Sequence, residues 1–184
     1  MADAPAAENL AWIDLEMTGL DPRRDVILQA ALIVTNAELT PLASVVLDIW
    51  QPEAALVHMT PFVRDMHQRN GLLERVAASK VDIREAERQL LACLSKFCTY
   101  PATLCGNSVG MDKRFLEVYM PALSGYLHYR ILDVSSLKIV AQRYYGAEAQ
   151  FRKSTGREHD ALFDIENSIA EFAHYREHLL RSRS

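Results

Sequence analysis

The chain has 184 residues, 49% of them hydrophobic, with a formal net charge of −4 and a pI near 5.9. That length fits one domain with a core of its own, and the hydrophobic content excludes a disordered chain. The acidic balance argues against a broad basic surface for long double-stranded nucleic acid, so a polyanionic substrate is expected to be short, or held by a few aimed groups.

Residues 1–8 and 182–184 are expected to be flexible termini around a single domain of residues 9–181. The opening "MADAPAAEN" lacks the basic region and apolar core of a signal peptide, and no stretch approaches the length of a membrane span. Three cysteines, Cys93, Cys98 and Cys105, follow no zinc or redox spacing and read as reduced core residues of a cytoplasmic protein.

The first third predicts three strands: "LAWIDLEM" from Leu10, "VILQAALIVT" from Val26 and "SVVLDIW" from Ser44. The short turn-rich links between them suggest an antiparallel meander. Farther on, helical spacing connects Ile83, Leu90, Leu91, Leu94 and Phe97, and again Leu162, Ile165, Ile169, Phe172 and Leu179. Two further strand-like pieces, "ATLCGN" from Ala102 and "YRILDVS" from Tyr129, each lead into a helical pattern, "MDKRFLEVYM" and "SLKIVAQRYY". Strands followed by alternating strands and helices predict an α/β domain with a mixed central sheet flanked by helices. The polar connection from Gly146 to Glu158 is a candidate mobile flap.

Within the first strand, Asp14 and Glu16 are two residues apart and so project from one face. Like charges side by side repel unless a cation bridges them, and hard carboxylate oxygens suit Mg²⁺ or Mn²⁺; the alternative is a solvated strand face. Asp112 follows "GNSVGM" at a strand end, where open α/β sheets place their sites, and could equally be a helix N-cap. Asp164 lies on the first turns of the last helix, in reach of the same face or merely on its polar side. His159 precedes Asp164 by five residues, a rotation of roughly 140° on an ideal helix, so it belongs at the helix start or on the preceding loop.

Together these segments resemble the oligoribonucleases, members of the DEDDh group of 3′-to-5′ exonucleases. "WIDLEMTGL", "GNSVGMDKRFL" and "HDALFDI" are similar to that family's three motifs in order and spacing, and "YRILDVSSLK" to a fourth. The resemblance implies a ribonuclease H-like exonuclease fold. It also implies degradation of short oligoribonucleotides, especially 5′-phosphorylated dinucleotides, to nucleoside 5′-monophosphates. Two divalent cations, Mg²⁺ or Mn²⁺, would be held by Asp14, Glu16, Asp112 and Asp164, with His159 as general base.

The resemblance further implies that His67, Ser108, Arg130 and Ser135 cap the substrate's 5′-phosphate, with Tyr129 supplied across a homodimer interface. Leu20 would wedge between two bases; its alternative is a core residue capping the first strand. Phe62 would stack on a base where the family usually has tryptophan. Gln29 stands where glutamate is common, and Asp160 and Phe163 depart from the usual arginine and aspartate of the last motif.

Two rivals have sequence support. "HYREH", His174 to His178, satisfies the H-x-x-E-H pattern of a zinc protease with Glu177 between the ligands. A domain that binds short RNA without cutting it would share the fold, but has no need to keep anionic groups clustered near phosphates. Within the enzyme class, the nearest alternative is a DEDDh exonuclease that trims tRNA ends or proofreads DNA.

Overall fold

The structure, a computed structural model, describes residues 5–154 and 160–180. Its centre is a five-stranded sheet of β1 (Leu10–Met17), β2 (Ile27–Thr35), β3 (Pro41–Asp48), β4 (Thr103–Gly106) and β5 (Leu132–Asp133), in the order β3-β2-β1-β4-β5. The short links keep β1, β2 and β3 antiparallel, whereas β4 and β5 return through helices and lie parallel to β1. All nine residues of β2 are buried, which explains its near-continuous apolar run, while β3 at the edge alternates between exposed and half-buried.

Three short helices follow β3: α1 (Glu53–Leu56), α2 (Pro61–Arg69) and α3 (Leu72–Ala78). They gather a small apolar cluster of Leu28, Met59, Leu72 and Val76 beside the sheet. On one face of the sheet lie α4 (Ile83–Phe97), α5 (Gly110–Tyr119) and α6 (Pro121–Tyr126), packed on Ala11, Ile13 and Leu15 of β1. The Asp82 side chain starts α4 by accepting from Glu85 N at 2.8 Å. On the opposite face, α7 (Val134–Tyr144) and α8 (Ala161–Leu179) cover Trp12, Ala31 and Ile33. The odd residues of β1 therefore serve one layer and the even residues the other.

The expected meander, mixed sheet and flanking helices are all present. β1 keeps its expected bounds, β3 begins three residues earlier than expected, and α4 and α8 carry the expected apolar residues inward. The seven-residue strand expected from Tyr129 shrinks to Leu132–Asp133, because the preceding segment is held otherwise: Tyr129 stacks on His128 and its carbonyl accepts from Lys113 Nζ at 3.2 Å. Up to Ser154, the expected flap is docked on α8, with a 3-10 turn at Ala147–Ala149, Ala149 O bonded to His174 Nε2 and Ser154 N to Asn167 Oδ1. Residues 155–158 of that connection lie outside the described residues. All three cysteines are free, and Cys98 and Cys105 are buried.

One irregularity places the site. β1 pairs with β4 only from Leu10 to Trp12, so the rest of its inner edge has no strand partner on that side. Leu15 N there donates instead to Asp112 Oδ1 of α5 at 3.0 Å. The strand's pairing with β2 continues to its end, broken by a bulge between Glu16 and Met17.

Candidate active site

Three carboxylates converge where β1 runs out from under β4. Asp14 and Glu16 project from the α8 side of β1, and Asp164 meets them from the first turn of α8. Oxygens of all three lie within 4.8 Å of one another. The Asp160 side chain caps α8 by accepting from Phe163 N at 3.1 Å, and Asp164 N bonds to Asp160 O at 2.9 Å.

Asp112, 7% exposed, lies in the first turn of α5 but is not its N-cap; its carboxylate is spent on the Leu15 backbone. It stands outside the group of three, yet close enough for its charge to act on both Asp14 and Glu16.

Burial and mutual repulsion leave this cluster short of positive charge. Asp14 is held well above the usual carboxylate range, first by burial, then by the charges of Asp112, Glu16 and Asp164, with Lys153 partly opposing. Glu16 is pushed up to about 8 by burial and by Asp164, Asp112 and Asp160. Asp112 rises to about 7, burial outweighing the backbone N–H bonds that hold it down. Acidic oxygens so placed match the donor set of a hard divalent cation.

The cluster floors a cleft of about 460 Å³ whose walls include Leu20, Phe62 and Met66. Leu20 is 68% exposed and Phe62 75% exposed, so Leu20 is not a core residue capping the strand. Two large apolar side chains displayed beside a buried acidic group mark a binding surface. The loop carrying Leu20 is built around Asp25, which accepts from Thr18 Oγ1 at 3.2 Å and Asp21 N at 2.9 Å. A Cβ on Gly19 would come within 2.4 Å of Asp25 Oδ2, so only glycine fits that close approach.

A second polar group forms where β4 and β5 end. Ser108 adopts a left-handed conformation with φ of 53°, and its backbone N donates to Asp133 Oδ1 at 2.9 Å. The hydroxyls of Ser108 and Ser135 lie 3.1 Å apart, and Ser135 Oγ donates to Asn107 Oδ1 at 3.1 Å. Tyr129 is exposed, with the Arg130 guanidinium 4.8 Å over its ring. Among the described residues, no salt bridge holds Arg130.

His67 sits apart from these residues. It is fully buried on α2, with Nε2 donating to Met17 O at 2.9 Å and Nδ1 at 3.9 Å from Glu16 Oε2. His67 is thus set against the strand end that carries Glu16.

The exonuclease family matches this chain over residues 11–172. The oligoribonuclease of Pseudomonas aeruginosa is 48% identical over 178 residues, covering 95% of this chain and 97% of that one. The oligoribonuclease of Coxiella burnetii is 49% identical over 177 residues, covering 94% and 95%. The chain belongs to the oligoribonuclease family of exonucleases.

Solved structures agree on the fold. Exonuclease I from Methylocaldum szegediense superposes with a TM-score of 0.70 at 20% identity, over 93% of this chain. Escherichia coli exonuclease I in complex with a dT13 oligonucleotide gives 0.64 at 15% identity, over 92% of this chain. The chain spans 41% of the length of each, and at such identities the likeness carries the ribonuclease H-like fold alone.

The oligoribonuclease-family general base expected at His159 lies outside the described residues. The H-x-x-E-H pattern dissolves in the structure: the rings of His174 and His178 stack 4.0 Å apart, each with a nitrogen bonded to a backbone carbonyl. Among the described residues, the cluster able to hold a metal is Asp14, Glu16 and Asp164. No helix among them is long and apolar enough to cross a membrane.

Sequence reasoning missed residues that hold the site from behind. Asp25 shapes the Leu20 loop. Glu171, 1% exposed, gathers Asn107 Nδ2 at 3.0 Å and Tyr175 OH at 3.0 Å, with Lys153 Nζ at 3.9 Å. A buried acidic residue on an otherwise amphipathic helix was the available signal for Glu171.

Proposed function

We propose that the protein is a 3′-to-5′ exoribonuclease that degrades short oligoribonucleotides, above all 5′-phosphorylated dinucleotides, to nucleoside 5′-monophosphates. The observation that carries this reading is the convergence of three carboxylates within 4.8 Å on the floor of a cleft that also displays Leu20 and Phe62. Asp14, Glu16, Asp112 and Asp164 hold two divalent cations, Mg²⁺ or Mn²⁺. When bound, the cations supply positive charge to the attacking and leaving oxygens of the phosphodiester.

The chain's own residues do the rest. Leu20 inserts between two bases and Phe62 stacks on one, which fixes the scissile phosphate over the carboxylates. Ser108, Ser135 and Arg130 grip the 5′-phosphate, the guanidinium offering paired N–H donors. His159 takes the proton of the attacking water, a role suited to an imidazole that titrates near neutral pH. Residues 9–181 act as one exonuclease domain in a cytoplasmic homodimer, with Tyr129 completing the partner's phosphate cap.

A time course on a 5′-phosphorylated diribonucleotide, a longer RNA and a matched DNA tests the reading. Mononucleotide release fastest from the diribonucleotide supports it. Cleavage of the longer substrates alone moves the chain to another branch of the exonucleases, and tight binding without cleavage makes it a binding module.

A further inference from the structure

Gln29 lies on β2 directly opposite Glu16 and is 3% exposed. Its Nε2 donates to Asp48 Oδ1 of β3 at 2.6 Å, and its Oε1 accepts from the backbone N of Ala161, the first residue of α8, at 3.1 Å. The other Asp48 oxygen accepts from Arg75 Nε at 3.2 Å, and Arg75 Nη1 is anchored on Asn70 O at 3.0 Å. A chain of polar contacts thus runs from α3 through the edge strand to the start of the helix that carries Asp164.

The chemistry of position 29 is narrow. Asp48 needs a donor, whereas the N–H of Ala161, one of those a helix start cannot satisfy internally, needs an acceptor. A primary amide offers both. A carboxylate at position 29 could accept from Ala161 but would set an oxygen against the Asp48 oxygen, two negative groups at hydrogen-bond distance in a buried site.

We propose that Gln29 is a positioning residue: through its paired bonds to Asp48 and Ala161 it seats the start of α8 so that Asp164 meets Asp14 and Glu16. The proposal rests on the reading of the carboxylates as a cation site, and it extends that site to a partner 132 residues from Ala161 in sequence.

The test exchanges the two groups. Chelator-stripped protein is titrated with Mn²⁺, and the concentration giving half of the cation-induced rise in melting temperature is read. Gln29→Glu is expected to raise that midpoint roughly 10- to 100-fold, the usual effect of removing a residue that orients metal ligands. Asp48→Asn alone keeps an oxygen for Gln29 but turns its NH2 toward the Arg75 donor, so its midpoint should shift less than that of Gln29→Glu. The double variant Gln29→Glu with Asp48→Asn should return to the wild-type midpoint, since the amide and the carboxylate have traded places at constant charge.

In diribonucleotide hydrolysis, Gln29→Glu should lower kcat more than it raises KM. A wild-type Mn²⁺ midpoint in Gln29→Glu, or a double variant no better than the single, overturns the proposal. Should Gln29→Glu not fold, Gln29→Met, neutral and similar in length, must show the weakened midpoint, and an unchanged one overturns it. Failure of the wild type to cleave RNA would sink the proposed function while leaving the Mn²⁺ midpoints to decide this proposal.

Discussion

The two polar ends of the sheet's active edge are built on opposite electrostatic plans. Around Asp14, Glu16 and Asp164, like charges crowd into one pocket, and burial and repulsion lift the pKa values of Asp14 and Glu16. Around Ser108 and Ser135, hydroxyls and backbone N–H groups are satisfied by one another, by Asn107 and by the single Asp133 carboxylate, with the Arg130 guanidinium displayed on an exposed aromatic ring. The first end is unfavourable until a cation arrives, and the second is already satisfied and ready for an anion. On the proposed function, a substrate spanning both would be cut at the carboxylate end and held by its 5′-phosphate at the serine end.

The largest expected effect breaks the first end. Asp14→Asn should cut hydrolysis by about 10³-fold, since the lost charge stabilisation is worth several kcal/mol at about 1.4 kcal/mol per tenfold. The same substitution should raise the melting temperature of chelator-treated protein, because it removes one of several repelling buried charges. Normal turnover, or a lower melting temperature, would dissolve the contrast between the ends.

A pH series sharpens the contrast. Glu16 near 8 and Asp112 near 7 hold their protons more tightly in the folded chain than in the unfolded one, where carboxylates titrate near 4. Their contribution to stability is therefore full below about pH 4 and is lost as pH rises through the folded values. Chelated protein should lose melting temperature steadily between about pH 5 and pH 8, and saturating Mg²⁺ or Mn²⁺ should flatten that slope. A chelated protein most stable at pH 8 would contradict the charge crowding.

Smaller effects belong to the serine end and to the walls. Arg130→Ala should cost about 10- to 100-fold in kcat/KM on a 5′-phosphorylated dinucleotide, the worth of a charged hydrogen-bonded contact, and little on the unphosphorylated one. An equal loss on both would remove Arg130 from phosphate recognition. Phe62→Ala should raise KM by about 5-fold or more and Phe62→Trp should lower it, because stacking grows with ring area. Binding of the uncleaved dinucleotide to chelator-stripped protein, measured by competition, ranks the variants.

The sequence revealed the parts of this design that depend on period and missed the parts that depend on distance. The alternation of β1 was enough to put Asp14 and Glu16 on one face, with Trp12 of the same parity pointing to α8. Asp112 and Asp164 joined them only through the family resemblance, since neither spacing shows that β1 outruns β4. Helix α2 escaped notice because Phe62 and Met66 line the open cleft instead of a core. The value of Gln29 lies in partners that folding brings together, Asp48 and Ala161, so it is not legible as a local pattern.

The central claim is that the buried carboxylates serve cleavage by holding divalent cations. It is tested most directly by following mononucleotide release from a 5′-phosphorylated diribonucleotide as Mn²⁺ is added back to chelator-stripped wild type and Asp164→Asn. The account expects no release without cation, full recovery in the wild type and almost none in the variant. Release by the stripped protein, or equal recovery in both, would contradict it.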